Sequence, residues 1–91
     1  MSYIDKFPSE VKRITEAATT VIKATSGILR GITVNTILTG TVTIKDGTTT
    51  IAVLAIGTPI GDYLTIEGGI WIEGALSVVT SAADAITVSF K

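Results

Sequence analysis

The sequence contains no cysteine and no histidine. Without cysteine the chain has no disulfide scaffold and no thiolate nucleophile, and without histidine it lacks the usual zinc-finger ligands and the base of a Ser-His-Asp triad. Proton transfer would need a carboxylate or a lysine whose pKa is strongly perturbed. We therefore expect that the protein is not an enzyme and binds no cofactor.

Charged residues are also scarce, at 16% of the chain, and they nearly balance to a net charge of −1. No basic surface for nucleic acid or for an anionic membrane is expected from this balance. The longest wholly apolar run, residues 51–56, is far shorter than the roughly 20 residues of a membrane-spanning helix. Charges and Pro8 interrupt the N-terminal region, so we expect no signal peptide and synthesis in the cytoplasm.

The abundant residues are β-branched. Isoleucine (14), valine (8) and threonine (16) together make 38 of the 91 residues, and the mean hydropathy is +0.58. Such stiff side chains fit the pleated surface of a sheet, and the composition is too apolar for a disordered chain. A chain of this length supports one core. The composition therefore predicts a single, mostly β domain.

The first 18 residues differ from the rest and are interpreted as an N-terminal arm that precedes a β-sandwich over residues 19–91. Val11, Ile14 and Ala18 are spaced by three and four, which would suit a short helix at residues 9–17. The alternative is an extended arm that becomes a strand at residues 19–22, where β-branched residues crowd together. The sequence favours the extended arm.

From residue 19 onward, turn-forming residues recur every 6–12 positions, which is the spacing of a sandwich or barrel. Apolar residues alternate with polar ones between these turns. The alternation predicts seven or eight short strands, at roughly 19–25, 28–35, 41–45, 50–56, 63–67, 70–73, 75–80 and 85–90. The residues expected to point inward are Ile32, Val34, Val42, Ile44, Leu64, Ile66, Ile70, Ile72, Leu76, Val78, Ile86, Val88 and Phe90.

Three local patterns refine this prediction. Asp46-Gly47 indicates a hairpin with a type I′ turn, in which both central residues have positive φ. In residues 51–56 the large side chains change phase after Val53, so either a bulge lies there or both faces of the strand are covered. Trp71 lies between two inward residues and should point to the other face. Large side chains on both faces would need a partner subunit, so we expect a homo-oligomer.

Carboxylates are the main candidates for chemistry. Glu67 and Glu73 could face one another across a hairpin, like the paired acids of a glycoside hydrolase, but solvated charges that protect strand edges are the favoured interpretation. Asp46, Asp62 and Asp84 lie in turns and could together bind calcium, although Asp in a turn more often caps local backbone amides. We predict neither a catalytic nor a metal site.

Trp71 and Tyr63 could form a platform for carbohydrate. With aromatic residues at only 5% of the chain, burial of Trp71 in the core or at a subunit interface is favoured over glycan binding. Gly68-Gly69 lacks the pattern of a phosphate-binding loop.

The segments at residues 21–35 (VIKATSGILRGITVN), 40–47 (GTVTIKDG) and 83–90 (ADAITVSF) resemble small virion structural proteins of tailed bacteriophages, similar to capsid decoration (cement) proteins. The resemblance covers about residues 20–91. It implies a small, jelly-roll-like β-sandwich, and the N-terminal arm lies outside it.

The resemblance also implies a function: binding to the outer surface of a phage capsid, as a trimer that stabilises the mature shell. The implied partners are the major capsid protein and further copies of the chain, and the implied location is the capsid surface of the virion. The expected capsid or subunit contacts are Tyr3, Ile4, Phe7, Val11, Ile14 and Trp71. The alternatives are a neck, tail or fibre-base component of the virion and a glycan-binding surface module.

Overall fold

The computed structural model describes residues 10–91. Within this range the chain forms nine strands and no helix, and so no helix that could cross a membrane. The prediction of an all-β protein is confirmed. The strands are β1 (Glu10–Ile14), β2 (Thr19–Lys23), β3 (Gly27–Val34), β4 (Val42–Asp46), β5 (Thr49–Leu54), β6 (Gly61–Tyr63), β7 (Ile70–Ile72), β8 (Leu76–Thr80) and β9 (Ile86–Phe90).

The strands form two antiparallel sheets that make a sandwich. Sheet A has the order β1-β9-β3-β6, with β7 beside the first part of β3, and sheet B has the order β2-β8-β4-β5. The chain folds back on itself about the β4–β5 hairpin, so that β1 pairs with β9, β2 with β8, and β3 with β6 and β7. Successive pairs alternate between the two sheets, which is the arrangement of a jelly roll. The predicted jelly-roll-like sandwich is confirmed.

The core lies between the sheets and is almost wholly aliphatic. In β8 and β9 every second residue is buried, as the period-two alternation predicted. Each such side chain contributes about 1.5–3 kcal/mol through its removal from water. The buried apolar residues are Ile14, Leu29, Ile32, Val34, Leu38, Val42, Ile44, Ile72, Leu76, Val78, Ile86, Val88 and Phe90.

Residues 10–14, which the sequence analysis assigned to an arm or to a helix over 9–17, are a strand of sheet A. β1 pairs with β9 from Glu10 opposite Phe90 to Ile14 opposite Ile86. Ile14 is only 4% exposed and belongs to the core. The pairing gives hydrogen-bond partners to the backbone groups of β9 that face away from β3, and without it β9 would be a sheet edge. These hydrogen bonds outweigh the local helical preference that the spacing of Val11, Ile14 and Ala18 suggested. The sandwich therefore includes β1.

The strand predicted at residues 63–67 is wrong. β6 ends at Tyr63, and Leu64 has φ of 58°, a left-handed conformation that an extended strand cannot contain. Ile66, which the alternation placed inside, lies in the following loop and is 58% exposed. Only Leu64 of this predicted inward pair packs against the core.

β5 contains the bulge that the change of phase suggested. Ile44 pairs with Ala52 and Lys45 with Thr50, which leaves Ile51 as the extra residue. The bulge thus lies two positions before the predicted site after Val53. As a result Ile51 packs against the core, whereas Val53 is 55% exposed.

The predicted hairpin after β4 is confirmed, but its turn lies one residue later than expected. Asp46 pairs with Thr49, so Gly47 and Thr48 are the two central residues. Gly47 has φ of 61°, and neither Asp46 nor Thr48 has positive φ. Positive φ at the first central residue alone is the pattern of a type II′ turn rather than type I′.

We predict that Gly47→Val lowers the free energy of unfolding by about 1 kcal/mol or more, because a β-branched residue is strained at positive φ. A Cβ at this position would have no other atom within 4 Å, so the loss reports the backbone conformation alone. Urea denaturation measures the change. Thr48→Val, in the other central position, is the control and should change stability by only a few tenths of a kcal/mol; equal stability of the two variants would contradict the assigned turn.

Candidate interaction surfaces

Three exposed isoleucines lie at one end of the sandwich. β5 ends and β6 begins there, because Leu54 pairs with Val42 and Gly61 with Val34. Two loops at this end are joined by backbone hydrogen bonds: Leu38 N–H donates to the Thr58 carbonyl (3.1 Å), and Gly57 N–H donates to the Leu38 carbonyl (2.8 Å). These loops carry the isoleucine tip, which we define as Ile37, Ile56 and Ile60, exposed by 59%, 67% and 64%.

A buried carboxylate holds the loop that precedes β4. Asp84 is 5% exposed and accepts hydrogen bonds from the Thr39 backbone N–H (3.0 Å), the Thr39 hydroxyl (2.9 Å) and the Gly40 backbone N–H (3.1 Å). Gly40 packs so closely that a Cβ there would collide with Ser81 Oγ. Asp84 thus caps amides in a distant loop and not in its own turn, and it fixes the chain beside Ile37.

The other two aspartates act separately. Asp46 accepts hydrogen bonds from the backbone N–H groups of Glu73 (3.0 Å) and Gly74 (2.8 Å), which ties the β4–β5 hairpin to the β7–β8 loop. Asp62 accepts one from the Thr33 hydroxyl (2.6 Å) on the outer face of sheet A. Among residues 10–91 no group of three or more potential metal-ligating side chains comes together. The three aspartates therefore do not form the shared site considered as an alternative.

Glu67 and Glu73 do not flank a hairpin. Glu67 lies in the loop after β6 and Glu73 follows β7, but β6 and β7 both pair with β3 and not with each other. Both glutamates are exposed. The arrangement of paired acids facing one another across two joined strands is therefore wrong for this fold.

We predict that Asp84→Ala lowers the free energy of unfolding by about 3 kcal/mol, because it leaves buried or half-buried donors of the 39–40 loop without an acceptor. Chemical denaturation of the two proteins measures the difference. Asp62→Ala removes one exposed hydrogen bond and should cost less than about 1 kcal/mol. A loss for Asp84→Ala no larger than for this control would show that the carboxylate does not hold the loop.

Trp71 is on the outer face of sheet A. It pairs with Ile28 of β3 and is 63% exposed, whereas Ile72 is fully buried. The prediction that Trp71 points to the face opposite its neighbours is confirmed. Burial in the core, one of the two favoured expectations, is wrong, and the side chain is accessible to a partner. Tyr63 faces the other way, with its ring against the core and its hydroxyl donating to the Pro59 carbonyl at 2.7 Å. The two rings lie on opposite faces of sheet A, so the shared carbohydrate platform is wrong.

The remaining predicted contact residues fall into three groups. Val11 is 69% exposed on the outer face of β1 and is accessible. Ile14 is in the core and offers no surface to a partner, because its strand packs as part of the sandwich. Tyr3, Ile4 and Phe7 lie outside the described residues.

We predict that Trp71→Ala changes the melting temperature little, because the indole is largely in water already and its loss should cost less than about 1 kcal/mol. Ile72→Ala, one residue along, should cost about 2–5 kcal/mol, since it opens a cavity in the core. Thermal unfolding of both variants measures the contrast. A large fall in the melting temperature of Trp71→Ala would mean that the indole stabilises the fold and is not available to a partner.

No family model, no curated protein and no solved structure matches this chain. The surfaces themselves therefore carry the functional argument. The sequence analysis did not find the isoleucine tip, because the predicted strand at residues 50–56 includes Ile56, whereas Ile37 and Ile60 lie between predicted strands. The sequence does contain one signal for the tip: no charged residue occurs between Asp46 and Asp62, the stretch that includes Ile56 and Ile60.

Proposed function

We propose that the protein is a virion structural protein that binds the outer surface of a tailed-phage capsid and stabilises the mature shell. The resemblance of residues 20–91 to phage decoration proteins supports this assignment, and a jelly-roll sandwich is the fold that the resemblance implies. The observation that carries the proposal is the isoleucine tip.

The tip has the properties of a docking surface for another protein. Its three isoleucines are each more than half exposed. Their two loops are joined to each other by two backbone hydrogen bonds, and the loop that carries Ile37 is held at its base by Asp84. Because the loops are already ordered, binding costs little additional conformational entropy, and burial of the isoleucines can appear as affinity.

Stabilisation of the shell follows from mass action. A protein that binds the mature capsid lattice but not its precursor or its disrupted form shifts the equilibrium toward the mature lattice. In this proposal the partner is the major capsid protein. The protein assembles as a trimer about a local threefold axis, and the exposed Trp71 and Val11, which lie toward the end of sheet A opposite the tip, contact a neighbouring copy.

A neck, tail or fibre-base component is the second candidate, since the same tip would serve to bind another virion protein. The glycan-binding alternative is weaker, because Tyr63 and Trp71 do not share a face. A decoration protein would bind capsids, whereas a neck or tail component would bind isolated necks or tails. The experiment therefore compares binding to these particles.

We predict that the purified protein co-sediments saturably with capsids that lack it. Ile56→Asp and Ile60→Asp should each weaken binding at least roughly tenfold, because a charge replaces an apolar contact of about 1.5 kcal/mol or more. Val21→Asp is the matched control, since Val21 is 59% exposed but lies on β2, away from the tip.

Both tip variants should retain the melting temperature of the unmodified protein, because the substituted side chains are exposed. Absence of saturable binding to capsids would contradict the capsid assignment, and binding to isolated tails or necks under the same conditions would favour the second candidate. Equal loss of binding in Val21→Asp would contradict the role of the tip.

A further inference from the structure

β5 is one of the two edge strands of sheet B, with β2 at the other edge, and it carries neither charge nor proline. Within the described part of the chain, β5 pairs with β4 and with no other strand. Edge strands present unpaired backbone N–H and C=O groups, and proteins commonly guard them with charges, lysine above all, or with proline. The six residues of β5, TTIAVL, include none of these, and the uncharged stretch continues to Gly61.

β1, which forms one edge of sheet A, shows the contrast. β1 carries Glu10, Lys12 and Arg13, all exposed, in a strand of only five residues. If β1 paired with itself about its central residue, Lys12 would lie opposite a second Lys12, and like charges directly opposite each other are destabilising. These two edge strands therefore differ: β1 is guarded by charge, whereas β5 has only the bulge at Ile51, which leaves residues 52–54 as a regular, uncharged edge.

We propose that β5 pairs antiparallel with β5 of a second copy across a twofold axis, so that sheet B continues from one copy into the next. This contact goes beyond the proposed function, because it joins two copies directly and needs no capsid. In an assembly of trimers it would link neighbouring trimers across local twofold axes.

The alternation of side chains in β5 selects the register. The bulge at Ile51 breaks the alternation, so residues 52–54 are the regular part of the edge. With the axis at Val53, each Val53 lies opposite the other, and each Ala52 lies opposite Leu54 of the second copy. Val53 points outward, and Ala52 and Leu54 pack against the core, so the faces match across the axis. A shift of the register by one residue would oppose outward and inward side chains.

A second copy also suits the chemistry of the surface beside this edge. On the outer face of sheet B one row runs across all four strands through Val53, Thr43, Val79 and Thr19, without a charge. Pairing would cover Val53, which is 55% exposed, with an identical side chain and would extend the same uncharged row into the next copy. Cross-strand contacts between β-branched side chains favour such a pair.

The experiment compares the unmodified protein with Val53→Lys and Val21→Lys by light scattering from micromolar to millimolar concentration. Val21 is the matched control: it is a valine on the same outer face, it is 59% exposed, and it lies on β2 at the opposite edge of sheet B. We expect the mass of the unmodified protein to rise with concentration. Val53→Lys should move the midpoint of this rise to a concentration at least roughly tenfold higher, because it opposes two lysines at the axis. Val21→Lys should leave the midpoint unchanged.

Two further measurements complete the test. Val53→Thr keeps a β-branched, uncharged side chain and should retain the association. Hydrogen exchange of β5 amides should be slower in the unmodified protein at high concentration than in Val53→Lys, since pairing protects amides at the edge.

A mass that stays at that of a single chain, or at that of a trimer, over the whole concentration range would overturn the proposal, and β5 would then be open to a strand of a different protein. An equal effect of Val21→Lys and Val53→Lys would overturn it as well. Neither result bears on the capsid assignment, because the substituted residues lie outside the isoleucine tip, and loss of capsid binding in the tip variants leaves β5 pairing intact.

Discussion

The hydrogen bonding of β9 on both sides is the interaction on which the sandwich depends. The last strand of the chain lies between β1 and β3, and Glu10 pairs with Phe90 while Leu29 pairs with the same residue from the other side. Sheet A therefore cannot close until the C-terminal strand is available. Contacts between positions so distant in sequence are slow to form, because the loop entropy is lost before the contacts are gained. In this jelly roll the paired strands lie farther apart in sequence from the β4–β5 hairpin outward, and the separation is largest for β1 and β9.

The regular part of this architecture could be predicted because burial on one face imposes a period of two. Val42 and Ile44 in β4, and Ile86 and Val88 in β9, are buried as the alternation requires. β1 could not be predicted in the same way, since only Ile14 of its five residues is buried, and its conformation is set by a partner more than seventy positions away. Leu64 adopts positive φ although nothing in its local sequence demands it, so the end of β6 was also missed.

Some features of the candidate surfaces could likewise be predicted from the sequence, and others could not. Exposure of Trp71 could be predicted because it lies between two residues of opposite phase, and exposure of Val11 is compatible with the expected contact role. The isoleucine tip depends on which loops the topology brings together, and the pairing of Leu38 with Gly57 and Thr58 is not a local property of the sequence. The absence of charge over one stretch of the sequence indicates these surfaces better than the alternation of apolar residues does. The stretch between Asp46 and Asp62 supplies both the open edge strand and two of the three tip isoleucines.

The pairing of Glu10 with Phe90 also determines where the two ends of the described chain leave the sandwich. Both leave side by side, whereas Ile14 and Ile86 mark the other ends of the same strands, next to the isoleucine tip. A partner bound by the tip and a segment attached after β9 would therefore lie at opposite poles of the domain. With the tip seated on a particle, a protein domain fused after β9 would be displayed outward, away from the contact, so the end of β9 is a suitable point for attaching cargo to an assembled surface.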